Sequence, residues 1–447
     1  MRVFMLGWEF PPFISGGLGT ACFGLTRALD RLGTEVLFVL PRAVANPEGS
    51  HVQILSPSSA GVRGKSLTLG GMFQHTQFRA VAAALRPYAR PDEPFDEDDE
   101  AGLPGGRVAP GGVRGHRPRR GPRIRSVLGP GTDPGGNYSG DMFAEIERYA
   151  ALASVIAAEE TFDLIHAHDW MTYLAGIAVQ AQSGKPLVVH VHSTEFDRSG
   201  MNVNQRIYDI ERAGIHAATK VIAVSHLTRS IVLKHYGVDP RKVEVVYNAI
   251  DDREEPDQPP LPPITRDEKI VLFLGRVTMQ KGPEYFLAAA KRVLEVMDNV
   301  RFVVAGSGDM IRRMIELAAE MGIGHKVLFT GFLRGNDVRR VYRMADLYVM
   351  PSVSEPFGLT PLEALSNDVP VLISKQSGVA EVLNHALKVD FWDVDEMANK
   401  IVAVLRHPPL HATLRDHGSF EVKHFSWLDS AANCIKVYEA ALGPHAS

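Results

Sequence analysis

Two series of short apolar runs, each alternating with longer segments of helical period, constrain this chain more than any other feature. The first series reads RVFML, EVLFVL, LIHAH, PLVVHVH, KVIAVS and VEVVYN. The second reads KIVLFLGR, RFVVAGSG, VLFTGFL, LYVMPS and VPVLIS. Consecutive Val, Ile and Leu suit strands buried on both faces, hence parallel sheets covered by helices. Helices are expected between the strands, notably at 141–160 and 203–217. Between the two series lies DDREEPDQPPLPPITRD, residues 251–267, acidic and proline-dense, which reads as a linker. The expected fold is therefore α/β, with two doubly wound parallel-sheet domains of Rossmann-like type facing across a cleft. The N-terminal domain spans 1–250 and the C-terminal domain 268–425, and the 447 residues are ample for both. In open α/β sheets ligands bind beyond the carboxyl ends of the strands, so the cleft between the domains is the expected site.

One segment departs from this pattern. Residues 92–100, DEPFDEDDE, carry seven acids, and 101–136 are rich in Gly, Pro and Arg. Such a composition cannot bury a core, so 92–136 is expected to be a disordered surface insert. A basic arm for a polyanion is a second reading, though the aromatic interleaving of base-stacking segments is lacking. A sequence artefact is a third, because out-of-frame GC-rich coding DNA gives the same texture.

Bulk properties exclude several classes. The formal net charge of −4 gives no global basic field, so neither nucleic acid nor an anionic membrane surface is expected as partner. The two cysteines, Cys22 and Cys434, can build neither a Cys-based zinc site nor a disulfide framework, which fits a reducing, cytoplasmic setting. MRVFMLGWEF does not read as a signal peptide, and no stretch approaches the roughly 20 apolar residues of a membrane span.

Several motifs sit where strands end. In WEFPPFISGGLGT, residues 8–20, Gly16 and Gly17 allow a tight turn ahead of a helix. The loop serves either strand-to-helix packing alone or the approach of backbone to phosphate or sugar oxygens. HAHDW, residues 166–170, places His166 and His168 on one face of a strand; buried core histidines are a better reading than metal ligands there. Asp169, at the strand's carboxyl end, is placed for a ligand hydroxyl. In VVHVHSTEFDRSG, His190 reads as interior to the strand and His192 as closing it at the cleft edge. In LGRVTMQKG, Arg276 and Lys281 put two cations at a strand end, which suits a diphosphate. In VAGSGDMI, Gly306 and Gly308 begin a dinucleotide fingerprint whose third glycine is replaced by Ile311, which argues against a nicotinamide-dependent oxidoreductase, although the loop can still line a nucleotide pocket. PSVSEPFGLTPLEAL, residues 351–365, fits a capping box with Thr360, Pro361 and Glu363 at N-cap, N1 and N3, and leaves the N–H groups after Gly358 facing an anion.

Taken together, these residues resemble the retaining GT-B glycosyltransferases of the glycogen/starch-synthase and glycosyltransferase family 4 type. The resemblance covers nearly the whole chain outside 92–140, and EPFGLTPLE is its most specific mark. It implies that Glu355 contacts the donor's hexose hydroxyls, that Glu363 holds the ribose, and that Phe357, Gly358, Leu359 and Thr360 lie against donor phosphate and sugar. Arg276 and Lys281 match the pair that neutralises the leaving nucleoside diphosphate, with Gly306 beside the nucleotide. His192 and Asp169 match residues next to the donor sugar, and Asn248 of VYNAID an active-site asparagine. Glu9 and the Gly16–Gly17 pair match the acceptor and donor loop. The implied reaction moves a hexosyl group, glucosyl in the first instance, from a nucleotide-sugar such as ADP-glucose or UDP-glucose to a hydroxyl of a carbohydrate, with retention and with no metal or other cofactor. The resemblance also implies that the last helix, within 426–447, crosses back to the first domain. Glycogen synthases carry a lysine two residues before the glycine pair, where this chain has Ile14. That departure keeps open a family 4 transferase acting on a sugar-phosphate, small-molecule or lipid acceptor, and a non-catalytic GT-B protein.

Overall fold

The structure is a computed structural model, and it describes residues 1–10, 16–41, 66–67, 74–80, 140–250 and 268–443. The expected insert at 92–136 and linker at 251–267 lie outside the described residues.

The N-terminal sheet contains β1 (Arg2–Leu6), β2 (Glu35–Leu40), β3 (Ser66–Leu67), β4 (Thr76–Ala80), β5 (Leu164–His168), β6 (Leu187–Val191), β7 (Lys220–Ala223) and β8 (Val243–Val245). Their order is β3-β4-β2-β1-β5-β6-β7-β8, parallel except for β3 against β4. The C-terminal sheet contains β9 (Lys269–Leu274), β10 (Val300–Ala305), β11 (Val327–Gly331), β12 (Leu347–Met350), β13 (Val371–Ser374) and β14 (Leu387–Val389). It is parallel throughout, in the order β11-β10-β9-β12-β13-β14. Each sheet reverses direction once, between β1 and β5 and between β9 and β12, and a doubly wound sheet opens its ligand crevice at that reversal.

Side-chain alternation splits each core into two layers. Phe4, Leu6, Ile165 and Val189 pack under the helices Gly140–Glu159 and Trp170–Ser183. Val3, Met5, Phe38, Leu164 and Val188 point the other way, toward the helices Gly17–Arg31 and Trp427–Leu442. The last helix of the chain thus completes the core of the first domain. Its apolar face buries Trp427, Ala431, Cys434, Val437 and Tyr438, spaced by three and four residues. The fit is close: a Cβ on Gly24 would lie 2.3 Å from the Trp427 ring.

Candidate active site at the two sheet reversals

On the N-terminal side, β1 runs into Glu9, which is buried and accepts the Gly19 N–H at 3.0 Å. A carboxylate at a helix N-terminus is favoured by the aligned peptide dipoles. Glu9, the expected acceptor residue, therefore anchors the glycine loop in this structure. Gly17 faces across the cleft, since a Cβ there would lie 3.9 Å from Leu359 Cδ1.

β5 ends in Asp169, a non-glycine residue with φ 63°. Residues held in this region cost of order 1–3 kcal/mol and cluster at functional sites. One carboxylate oxygen, Oδ1, is buried with no hydrogen-bond partner. Burial raises the Asp169 pKa to about 6 against the opposing pull of Arg198 and of two backbone N–H groups, Trp170 and Ser193. His192 lies one residue beyond β6, and its Nε2 is 2.9 Å from His168 Nδ1. Asn248 is buried beyond β8.

The register of β5 on β6 pairs His168 with His190, so His166, His168, His190 and His192 share one face. Tyr438 of the last helix covers that stack, its hydroxyl 2.7 Å from His166 Nδ1. Burial lowers the pKa of all four imidazoles, to about 3 for His168, so they are neutral. Ligand atoms of His166, His168 and His190 lie within 4.8 Å of one another. A metal must lie in the plane of each ring it binds, whereas His166–His190 and His168–His190 stack at interplanar angles of 13° and 29°. The stack reads as a neutral polar core.

On the C-terminal side, the chain leaving β9 carries Arg276 and then the turn Met279–Lys281. Lys281 Nζ pairs with Glu355 Oε2, and Ser352 Oγ donates to the same oxygen at 3.3 Å. Glu355 is buried, with its backbone fixed by Gln376 and Gly378. Gly306 has a packing role: at φ 140° a Cβ would lie 1.9 Å from the Gly275 carbonyl, so the loops after β9 and β10 can touch only because it is glycine. Phe357 is buried, 6.0 Å from the Tyr247 ring across the domain boundary.

The capping box expected at 360–363 is not formed. The helix runs Leu359–Ser366 with Gly358 as N-cap at φ 105° and no side-chain cap. Thr360 Oγ1 instead accepts from Tyr348 at 2.7 Å, and Glu363 Oε2 accepts from Tyr342 at 3.0 Å. Two buried tyrosines that no local pattern announces take the oxygens the box would have used. The result leaves the first N–H groups of this helix without a side-chain cap from its own N-terminus, opposite Gly17.

The short helix Glu195–Ser199, just past His192, carries charged residues that the motif VVHVHSTEFDRSG does not mark as functional. Arg198 pairs with Glu195 at 3.1 Å and Glu211 at 2.6 Å, and its Nη1 donates to Ser193 Oγ at 2.6 Å. Burial raises the Glu211 pKa to about 7 despite Arg198 and the Tyr236 hydroxyl, which donates to it. The local signal was Thr194 three residues ahead of Asp197, which do form a capping box.

Three family profiles cover most of this architecture. "Starch synthase catalytic domain" matches residues 2–97, "Glycosyltransferase Family 4" 106–254 and "Glycosyl transferases group 1" 254–419. An uncharacterised glycosyltransferase of Methanocaldococcus jannaschii is 28% identical over 99% of both chains. A glycogen synthase of Mycobacterium tuberculosis is 26% identical over 99% of this chain and 95% of that one. Among solved structures, sucrose-phosphate synthase from Thermosynechococcus elongatus superposes with a TM-score of 0.66 at 19% identity, covering 98% of each chain. Anabaena HepE, solved with UDP and glucose, gives 0.65 at 15% identity, covering 98% of this chain and all of its own. The two sheets, their facing reversals and these matches define a glycosyltransferase of the GT-B class. Within that class the chain is of the glycogen-synthase-like and family 4 type. Among the described residues, no helix is long and apolar enough to cross a membrane.

Proposed function

We propose that the protein transfers a hexosyl group, glucosyl in the first instance, from a nucleotide-sugar to a carbohydrate hydroxyl with retained anomeric configuration and without a metal. One observation carries this reading: Lys281, Glu355 and the Gly358-capped helix start converge at the β9–β12 reversal, opposite the Gly16–Gly17 turn. A departing diphosphate develops negative charge, and the cations Arg276 and Lys281 with the helix N-terminus are placed to stabilise it. That supplies from side chains and backbone the charge compensation a metal would otherwise give. Glu355 accepts hexose hydroxyls, and Glu363, held by Tyr342, accepts from the ribose. His192 and Asp169 border the sugar from the first domain. The acceptor hydroxyl attacks from the face the diphosphate leaves, and the diphosphate takes its proton.

UDP-glucose is the first donor to try, since HepE was solved with UDP-glucose as well. ADP-glucose follows, because the M. tuberculosis relative bears the name glycogen synthase. The test is release of nucleoside diphosphate from a panel of nucleotide-glucoses with glucan acceptors, in EDTA throughout. Release dependent on both donor and glucan is expected. Complete loss in EDTA, restored by Mg²⁺ or Mn²⁺, would refute the metal-free mechanism.

A second reading keeps the donor and changes the acceptor. Ile14 stands where glycogen synthases have lysine, and D-inositol 3-phosphate glycosyltransferase of Segniliparus rotundus is 27% identical over 62% of this chain and 66% of its own. Diphosphate release with a sugar phosphate, an inositol phosphate or a lipid, and none with glucan, would favour it.

A further inference from the structure

The segment Ser354–Pro356 belongs to the C-terminal domain and carries Glu355, yet side chains of the N-terminal domain grip it on both sides. Ahead of Glu355, Ser354 Oγ donates to Asp197 Oδ1 at 2.5 Å. Behind it, the Pro356 carbonyl accepts from Ser225 Oγ at 2.5 Å and Thr228 Oγ1 at 3.2 Å. Asp197, Ser225 and Thr228 are all buried, so these contacts are shielded from competing water.

Each gripping group is itself held. Asp197 Oδ2 accepts from the Thr194 N–H at 2.8 Å and the Thr194 hydroxyl at 2.7 Å, which leaves Oδ1 turned to Ser354. Ser225 is the N-cap of the helix His226–Tyr236 and accepts from the Thr228 N–H at 3.0 Å. The contact is also sterically tight: a Cβ on Gly378 would lie 2.5 Å from Ser225 Cβ and 2.3 Å from the Pro356 carbonyl oxygen. The helix of Asp197 packs in addition on the turn Met279–Lys281, whose lysine pairs with Glu355.

We propose that Asp197, Ser225 and Thr228 are positioning residues for Glu355, so that this carboxylate reaches its working orientation only when the first domain is docked on the second. The proposal rests on the reading of Glu355 as the group that contacts the donor hexose. Lys281 and the Gly358 helix start lie in the C-terminal domain and bind the diphosphate without these contacts. Losing them therefore misaligns the hexose while leaving nucleotide binding intact. Misplacement by about 1 Å can cost about 100-fold in rate, and loss of one of the hydrogen bonds should cost part of that.

The test is a double-mutant cycle between Asp197→Asn and Ser354→Ala, with Ser354→Thr as the conservative control. Ser354→Ala is expected to lower kcat about tenfold while the Kd for UDP changes less than twofold. Ser354→Thr should restore most of the rate. The double variant should be little slower than the slower single one, as for partners in one contact. Additive losses, or a kcat within twofold of wild type in Ser354→Ala, overturn the proposal. Amide exchange on the full-length protein separates this outcome from a failure of the functional reading. If the grip is real, Asp197→Asn speeds exchange at 354–358, in the other domain, whether or not any donor turns over. Unchanged exchange there overturns the grip, whereas faster exchange in a protein that turns over no nucleotide-sugar upholds it and removes the proposed reaction.

Discussion

The N-terminal face of the cleft buries neutral imidazoles and a paired arginine, whereas the C-terminal face carries Lys281 on a short turn, paired with the buried Glu355. Behind the first lie four neutral imidazoles, the strained Asp169 with its unpartnered oxygen, and Arg198 between Glu195 and Glu211. The second works with Lys281, Glu355 and helix N–H groups, and its buried glycines let loops touch. Burying an ionisable group is costly unless it is neutral or paired. In the proposed reaction, that cost fixes shape around the sugar. The second domain carries Arg276 and Lys281 after the end of β9, where the proposed donor phosphate would lie. Stability of the first domain should therefore respond most to pH, and chemistry most to the charges of the second.

The largest effect expected is on chemistry. Lys281→Ala should lower kcat/KM about 100-fold, the scale of losing one preorganised charge contact in a transition state. Arg276→Ala should cost at least about 2 kcal/mol in the same ratio. Steady-state kinetics showing near-normal turnover in both would mean that charge does not develop on the C-terminal face.

Acid stability comes next. His168, lowered from 6.5 to about 3, stays neutral in the fold and gains a proton on unfolding. The unfolded chain then binds more protons below pH 6.5, so this stability is complete above 6.5 and is lost as pH falls toward about 3. Its slope approaches about 1.4 kcal/mol per pH unit. His166, His190 and His192 shift in the same direction. Calorimetry between pH 7 and pH 5 should show the transition of the first domain dropping further than that of the second. Parallel shifts would erase the contrast.

Glu211 has the opposite sign. Raised from 4.5 to about 7, it binds its proton more tightly in the fold, so its contribution is lost as pH rises through that window. Relative to wild type, Glu211→Gln should therefore become steadily more stable between pH 4.5 and 7 in urea titrations. A flat difference would show that Arg198 and Tyr236 hold the carboxylate ionised throughout.

The smallest effect tests the covering of the histidine stack. Tyr438→Phe removes the hydroxyl against His166 Nδ1 and should cost about 1–3 kcal/mol, the penalty of a buried polar nitrogen left bare. An unchanged urea midpoint would mean that the last helix holds by packing alone.

What was legible in the chain followed from local pattern. Continuous apolar runs announced most strands, and residues just past them gave Asp169, His192, Arg276, Lys281 and Glu355. β4, TQFRA, escaped because a short strand with polar Thr, Gln and Arg lacks that pattern; β14, LKV, is too short to show one. His166 and His168 share a face by local spacing alone, but their meeting with His190 and His192 depends on the register of β5 on β6, which local spacing does not encode. The capping box failed because Tyr342 and Tyr348 claimed its oxygens from a distance. The capping role of Asp197 is readable from Thr194, but its contact with Ser354, 157 positions away, is not.

The central claim is retaining transfer at the charge cluster of Lys281 and Glu355. Its most direct test is proton NMR of the product formed from a nucleotide-α-glucose and a glucan in EDTA, followed from the first turnovers. A new α-anomeric signal should grow in step with nucleoside diphosphate, present in wild type and nearly absent in Lys281→Ala. A β-anomeric product, or transfer undiminished in Lys281→Ala, would contradict it.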